Sequence, residues 1–129
     1  MEFSKKYLEI INGELKGLNL TRITDVEEFH EKQFLDSIMP FRLSKILKLS
    51  DNVHLDIGFG GGFPCLPLLH EFNQLNFFSI GCEARAKKVK AVNLIARKLK
   101  LDKFHGIHLR VEDLLVDKEC IITFKAVGK

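Results

Sequence analysis

The stretch Val53-His54-Leu55-Asp56-Ile57-Gly58-Phe59-Gly60-Gly61-Gly62-Phe63-Pro64 decides the fold. Val53 to Ile57 reads as a short strand, and it runs straight into a cluster of glycines. Glycines at alternate positions let a backbone turn sharply and come close to a ligand, because no Cβ intervenes. A helix is expected to follow from Pro64 to Phe72, with its first turn offering free N–H groups to a polar or anionic ligand.

Downstream of this point the pattern predicts a strand over 76–80, a long helix over 86–100, a strand over 105–109 and a strand over 120–126. Strand, glycine loop, helix, strand, helix, strand is the order of βαβ units, so the sheet should be mostly parallel and covered by helices. Upstream, Phe3, Tyr7, Ile10, Ile11 and Leu15 recur at helical spacing, and Gly17 suits the stop. Asp25 is a good N-cap for a second helix, with Glu28 as its capping-box partner and Val26, Phe29 and Leu35 as apolar positions. Pro40 is expected to open a further short helix over 41–49, since proline is tolerated in a first turn. Residues 1–50 thus read as a helical extension and 51–129 as a Rossmann-like α/β core.

The last strand is strongly apolar, and an apolar strand left at a sheet edge is an aggregation hazard that proteins cover. The expectation is a sheet that is incomplete after its fourth strand, or one whose edge a partner covers; otherwise the chain should be a monomer. A length of 129 residues, with 46% apolar and 29% charged residues, fits one globular domain and excludes a disordered chain. No apolar run approaches the roughly 18 residues of a membrane span, and Met1 to Lys6 lacks the apolar segment of a signal peptide, which points to the cytoplasm. Cys65, Cys82 and Cys120 are scattered, so reduced thiols are expected rather than a disulfide framework or a zinc site. The net charge of +3 permits an RNA or phosphate partner without demanding one.

The glycine loop departs from the dinucleotide fingerprint, because Phe63 stands where G-x-G-x-x-G wants its third glycine. With Asp56 two positions before the first glycine it fits the loop that holds S-adenosylmethionine better. Glu83, past the next strand, is placed to accept hydrogen bonds from ribose hydroxyls, or else serves as a carboxylate favoured at a helix N-terminus. Glu112 or Asp113 falls where an adenine edge would lie, with a helix cap as the plainer alternative. The helix over 86–100 can turn Val89, Val92, Ile95, Ala96 and Leu99 to the sheet. Arg85, Lys87, Lys88, Lys90, Arg97, Lys98 and Lys100 then form a basic face, either solvated or set against RNA phosphates. The five histidines show no metal-ligand spacing, and the eleven phenylalanines read as core.

Three stretches resemble one family, the ribosomal RNA small-subunit methyltransferase G family (RsmG, also called GidB). They are Leu18-Asn19-Leu20-Thr21 with Ile23 to Glu28 and Phe34-Leu35-Asp36-Ser37; the loop Asp56 to Pro67; and Glu83 to Val89 with Arg110-Val111-Glu112. The resemblance implies a class I S-adenosylmethionine-dependent methyltransferase with an amino-terminal helical extension, forming 7-methylguanosine in 16S ribosomal RNA of the small subunit without a metal. It implies that Asp56, Gly58, Gly60, Gly62 and Phe63 form the cofactor loop, that Glu83 holds the ribose, and that Val111 and Glu112 flank the adenine. Lys125 falls near the acceptor as the catalytic-side residue, with Arg85, Lys87 and Lys88 toward RNA. The chain departs from the family pattern at Lys125 (usually arginine), Phe59 (usually small), Cys65 (commonly glycine) and Gln33 (usually histidine). Rival readings are a methyltransferase acting on a small molecule or protein, and a non-catalytic RNA- or nucleotide-binding fragment.

Overall fold

A computed structural model describes residues 1–44, 52–75, 77–115 and 120–124. The elements are α1 (Glu2–Asn12), α2 (Val26–Phe29), a π-helical segment (His30–Leu35), α3 (Asp36–Ser44), β1 (Asn52–Ile57), α4 (Cys65–Glu71), β2 (Phe77–Glu83), α5 (Ala86–Lys98), β3 (Phe104–His108), a 3-10 turn (Val111–Asp113) and β4 (Ile121–Phe124). The four strands are parallel, in the order β3-β2-β1-β4. This is the parallel sheet that the βαβ order predicts, with helices over one of its faces among the described residues, β1 in the interior and its carboxyl end leading into the glycine loop.

Helices α4 and α5 lie against β2, α3 lies against α4, and α1 spans α2 and α5. The face they cover holds Phe77, Ser79, His54, Asp56 and Phe104, all buried. The core runs on from there into the amino-terminal layer, where Phe3, Tyr7, Leu8 and Ile11 of α1 meet Phe29, Phe34 and Ile38. By the alternation of strand side chains, Phe78, Ile107, Ile122 and Phe124 fall on the other face, and all four are exposed. β3 and β4 are the edge strands of the described sheet.

Several local expectations change. α1 stops at Asn12, short of residue 16, and Gly17 takes a positive φ of 106° in the following turns. Asp25 caps α2 by accepting from the Glu28 N–H at 2.9 Å, but the Glu28 carboxylate pairs forward with Lys32 instead of closing a capping box. Pro40 lies inside α3 and does not open a helix. The helical run from Val26 to Ser44 is continuous, and the burial of Phe34, Ser37 and Ile38 on one face outweighs the single hydrogen bond that Pro40 cannot donate. β2 extends to Glu83, so that carboxylate sits within the strand end. Of the three thiols, Cys65 and Cys82 are buried and Cys120 is partly so. Among the described residues, no helix is long and apolar enough to cross a membrane.

Candidate cofactor cleft

The glycine loop is a set of three left-handed turns: Gly58, Gly60 and Gly62 have φ of 68°, 55° and 98°. Gly62 is the most constrained. A Cβ there would run into the Tyr7 hydroxyl and the Leu66 side chain, so the position demands both the conformation and the emptiness of glycine. Tyr7 reaches in from α1 and donates its hydroxyl to the Gly61 carbonyl, while its ring stacks on Phe63 at 5.1 Å. The amino-terminal layer therefore braces the loop from behind.

The loop is tied in front to β2. Gly58 N–H donates to the Cys82 carbonyl at 2.7 Å, and Gly60 N–H donates to Glu83 Oε1 at 3.1 Å. The second oxygen of Glu83 accepts from the Arg85 N–H at 3.0 Å. Each carboxylate oxygen can accept a second hydrogen bond, so the buried Glu83 keeps acceptor capacity toward the cleft while it shapes the loop. Gly62 and Phe63 N–H both donate to the Phe59 carbonyl, Leu66 N–H to the Gly62 carbonyl, and Cys65 N–H to Asp56 Oδ2 at 3.2 Å. This corrects the expectation of free N–H groups at the helix start: these donors are satisfied inside the protein. The glycines instead allow close approach of a ligand to the backbone.

Above the loop lies an open cleft of about 570 Å³, within the usual range of small-molecule sites. Its lining brings together Gly58, Gly60, Phe63, Glu83, Arg85, Lys88, Val111 and Glu112, all singled out from the sequence. Phe59, Gly61, Arg110 and Gln33 join them. Other expected residues lie elsewhere. Asp56 is fully buried beneath the loop and Gly62 is packed under Tyr7; neither lines the cleft, because one caps α4 and the other lets α1 approach. Lys87 is exposed beside the cleft without lining it. Lys125 lies outside the described residues.

Beneath the site a chain of polar side chains crosses three strands. Asp56 Oδ1 accepts from Thr123 Oγ1 at 3.1 Å, His54 Nε2 meets Thr123 Oγ1 at 2.7 Å, and His54 Nδ1 meets Ser79 Oγ at 2.8 Å. Since Thr123 donates to the carboxylate, its oxygen accepts the Nε2–H of a neutral imidazole, and Ser79 donates to the bare Nδ1. Burial holds His54 in that neutral form, with its pKa lowered to about 4. Burial and the neighbouring Asp56 carboxylate together push the Cys65 thiol well above its usual range, so it is not a nucleophile here. Among the described residues, no group of three or more His, Cys, Asp or Glu side chains could hold a metal ion.

Comparison with known proteins adds to this geometry. The profile of the GidB family, rRNA small subunit methyltransferase G, matches residues 1–129. The ribosomal RNA small subunit methyltransferase G of Streptococcus gordonii is 35% identical over 97% of this chain, and that of Streptococcus pneumoniae is 36% identical over the same share. In both cases the match covers 54% of the relative, so the chain spans about half the length of the curated relatives it matches. Among solved structures, a Methanococcus maripaludis protein assigned to the S-adenosyl-L-methionine-dependent methyltransferases superposes with a TM-score of 0.59 at 14% identity, covering 78% of this chain and 47% of that one. YjhP of E. coli superposes with a TM-score of 0.54 at 15% identity, covering 94% of this chain and 44% of that one. At such identities these likenesses speak to the fold, which is Rossmann-like.

Proposed function

The chain belongs to the rRNA small subunit methyltransferase G family, and from that premise we propose that it binds S-adenosylmethionine in the cleft over the glycine loop and serves methyl transfer to guanine N7 of 16S ribosomal RNA. The observation that carries this reading is the Glu83 carboxylate, which holds Gly60 N–H and Arg85 N–H while facing the same cleft as the loop. One group thereby sets the shape of the floor and presents acceptors for ribose hydroxyls. Val111 and Glu112, which also line the cleft, are suited to an apolar adenine face and its exocyclic amine.

The bound cofactor supplies an electrophilic methyl group. Guanine N7 carries a free lone pair, so no general base is required of the protein. What the chain contributes is alignment and exclusion of water, and orientation of this kind can be worth about 7–11 kcal/mol of barrier in favourable cases. Phe59 and Phe63 close the loop side of the cleft with buried rings. Arg85 and Lys88 in the lining, and Lys87 beside it, are set to pair with RNA phosphates. Lys125 is assigned to the acceptor side on the family pattern. The partner is the small ribosomal subunit or its RNA, and the compartment that goes with it is the cytoplasm. The chain acts there as a monomer, apart from whatever covers β4.

Calorimetric titration with S-adenosylhomocysteine tests the cofactor site. The folded chain should bind, and Glu83→Gln should bind about tenfold or more weakly, the scale of a charge-assisted hydrogen bond made to ribose. A folded chain that takes up none at millimolar concentration would end the proposal. Incubation with unmodified small subunits and labelled cofactor, followed by mapping of 7-methylguanosine, tests the acceptor; charge reversal at Lys87 and Lys88 should weaken RNA binding and spare the cofactor.

A further inference from the structure

The π-helical segment His30–Leu35 brings into the cleft a side chain from outside the Rossmann core. Phe29 and Phe34 are both buried in the same core cluster although they stand five positions apart. An α-helix turns 100° per residue, so a spacing of five would swing one of the two off the core, where a spacing of four would instead bury Gln33. The wider π turn absorbs the extra residue, keeps both rings inside and turns Gln33 aside toward the cofactor cleft. Ser37, itself buried, stabilises the widened turn by donating its hydroxyl to the Gln33 carbonyl at 2.6 Å. Single-turn π insertions of this kind recur at functional sites. Gln33 is half-buried in the lining, and among the described residues nothing hydrogen-bonds its side-chain carboxamide.

Resting on the function proposed above, we infer that Gln33 is a substrate-positioning residue whose carboxamide receives the edge of the acceptor guanine. The chemistry fits that ligand better than the cofactor's charged amino-acid end. A zwitterion is held best by full charges, which a neutral carboxamide does not supply. A neutral group with paired donor and acceptor complements guanine O6 and N1–H, and it leaves N7 bare for the incoming methyl group.

The test uses the whole chain saturated with S-adenosylhomocysteine and titrated with 5′-GMP, followed by NMR line broadening. Wild type should bind GMP in the millimolar range. Gln33→Ala should weaken that binding about tenfold while changing the S-adenosylhomocysteine Kd less than twofold, and Gln33→His, which keeps one donor and one acceptor, should restore most of the GMP affinity. Loss of cofactor affinity in Gln33→Ala with GMP binding intact would overturn the inference, as would a cofactor-loaded wild type that ignores GMP. Failure of wild type to take up S-adenosylhomocysteine would instead remove the function proposed above, and this inference with it. Ser37→Ala serves as the second variant. By relaxing the π turn it should weaken GMP binding with the cleft-lining residues unchanged, and unaltered binding would count against the geometric origin argued here.

Discussion

Among single residues, Gly60 and Gly62 separate two reasons for a glycine. Both have positive φ, but nothing lies within 4 Å of a Cβ built at Gly60, whereas at Gly62 it would meet Tyr7 and Leu66. Gly60→Ala should cost only the backbone penalty of about 1–2 kcal/mol. Gly62→Ala should add overpacking of about 1–3 kcal/mol, and urea unfolding of the two variants side by side measures the gap. Gly81 is a quieter case in the middle of β2. Its missing side chain makes room for the Phe59 ring, which also meets Phe104 edge-on at 5.6 Å. This explains how a bulky residue is accepted at 59: the volume is taken from the neighbouring strand.

Among the elements, the helical run from Val26 to Ser44 carries the most consequence for the site. Its start is set by Asp25, whose carboxylate accepts the Glu28 N–H. Asp25→Ala should therefore cost about 1 kcal/mol, the ordinary worth of such a cap, read as a lower midpoint in denaturant with an unchanged slope. If the cap also fixes the helical register that presents Gln33, the same variant should lose some GMP affinity by the assay above. α5 shows the complementary case. Val89, Val92, Ile95 and Ala96 are buried against the sheet, while Lys87, Lys90, Arg97 and Lys98 stay exposed, and Lys98 pairs with Glu14 beyond the end of α1. Part of the basic face is thus engaged in holding the amino-terminal layer, and at the cleft the Arg85 guanidinium stands 3.9 Å from the Glu83 carboxylate.

For the molecule as a whole, the neutral His54 at the centre of the sheet links stability to pH. In the unfolded chain this imidazole takes up a proton near 6.5, but in the fold it does so only at about 4. Between those values the unfolded state binds more protons, so stability is full above pH 6.5 and declines as pH falls toward 4. At pH 5 this group should have cost the fold about 2 kcal/mol relative to neutral pH, because each tenfold rise in proton concentration across that window favours the unfolded chain by about 1.4 kcal/mol. His30 and His70, whose pKa values burial also lowers, act in the same direction. Thermal melts across pH 4.5–7.5 should show the decline, and His54→Gln should flatten it. An equal slope in that variant would assign the pH dependence to other groups. Because Thr123 and Asp56 belong to the same chain of hydrogen bonds, the disruption from protonating His54 falls on β4 and on the start of α4.

Periodicity and local chemistry were enough to read the βαβ order, the parallel sheet, the Asp25 cap, the glycine loop and most of the cleft lining. These are features written over a few neighbouring residues: a strand is an apolar run, a left-handed turn asks for glycine, and a carboxylate at a strand end is found by counting. Tertiary packing decided the rest. Tyr7 bracing Gly61 across 54 positions, Phe59 filling the space over Gly81, Asp56 turned beneath the loop, Pro40 carried inside a helix and Gln33 swung into the cleft all depend on burial shared between segments distant in sequence. The free energy of a buried ring or a satisfied carboxylate is set by what surrounds it in space, and a one-dimensional pattern records only its neighbours along the chain.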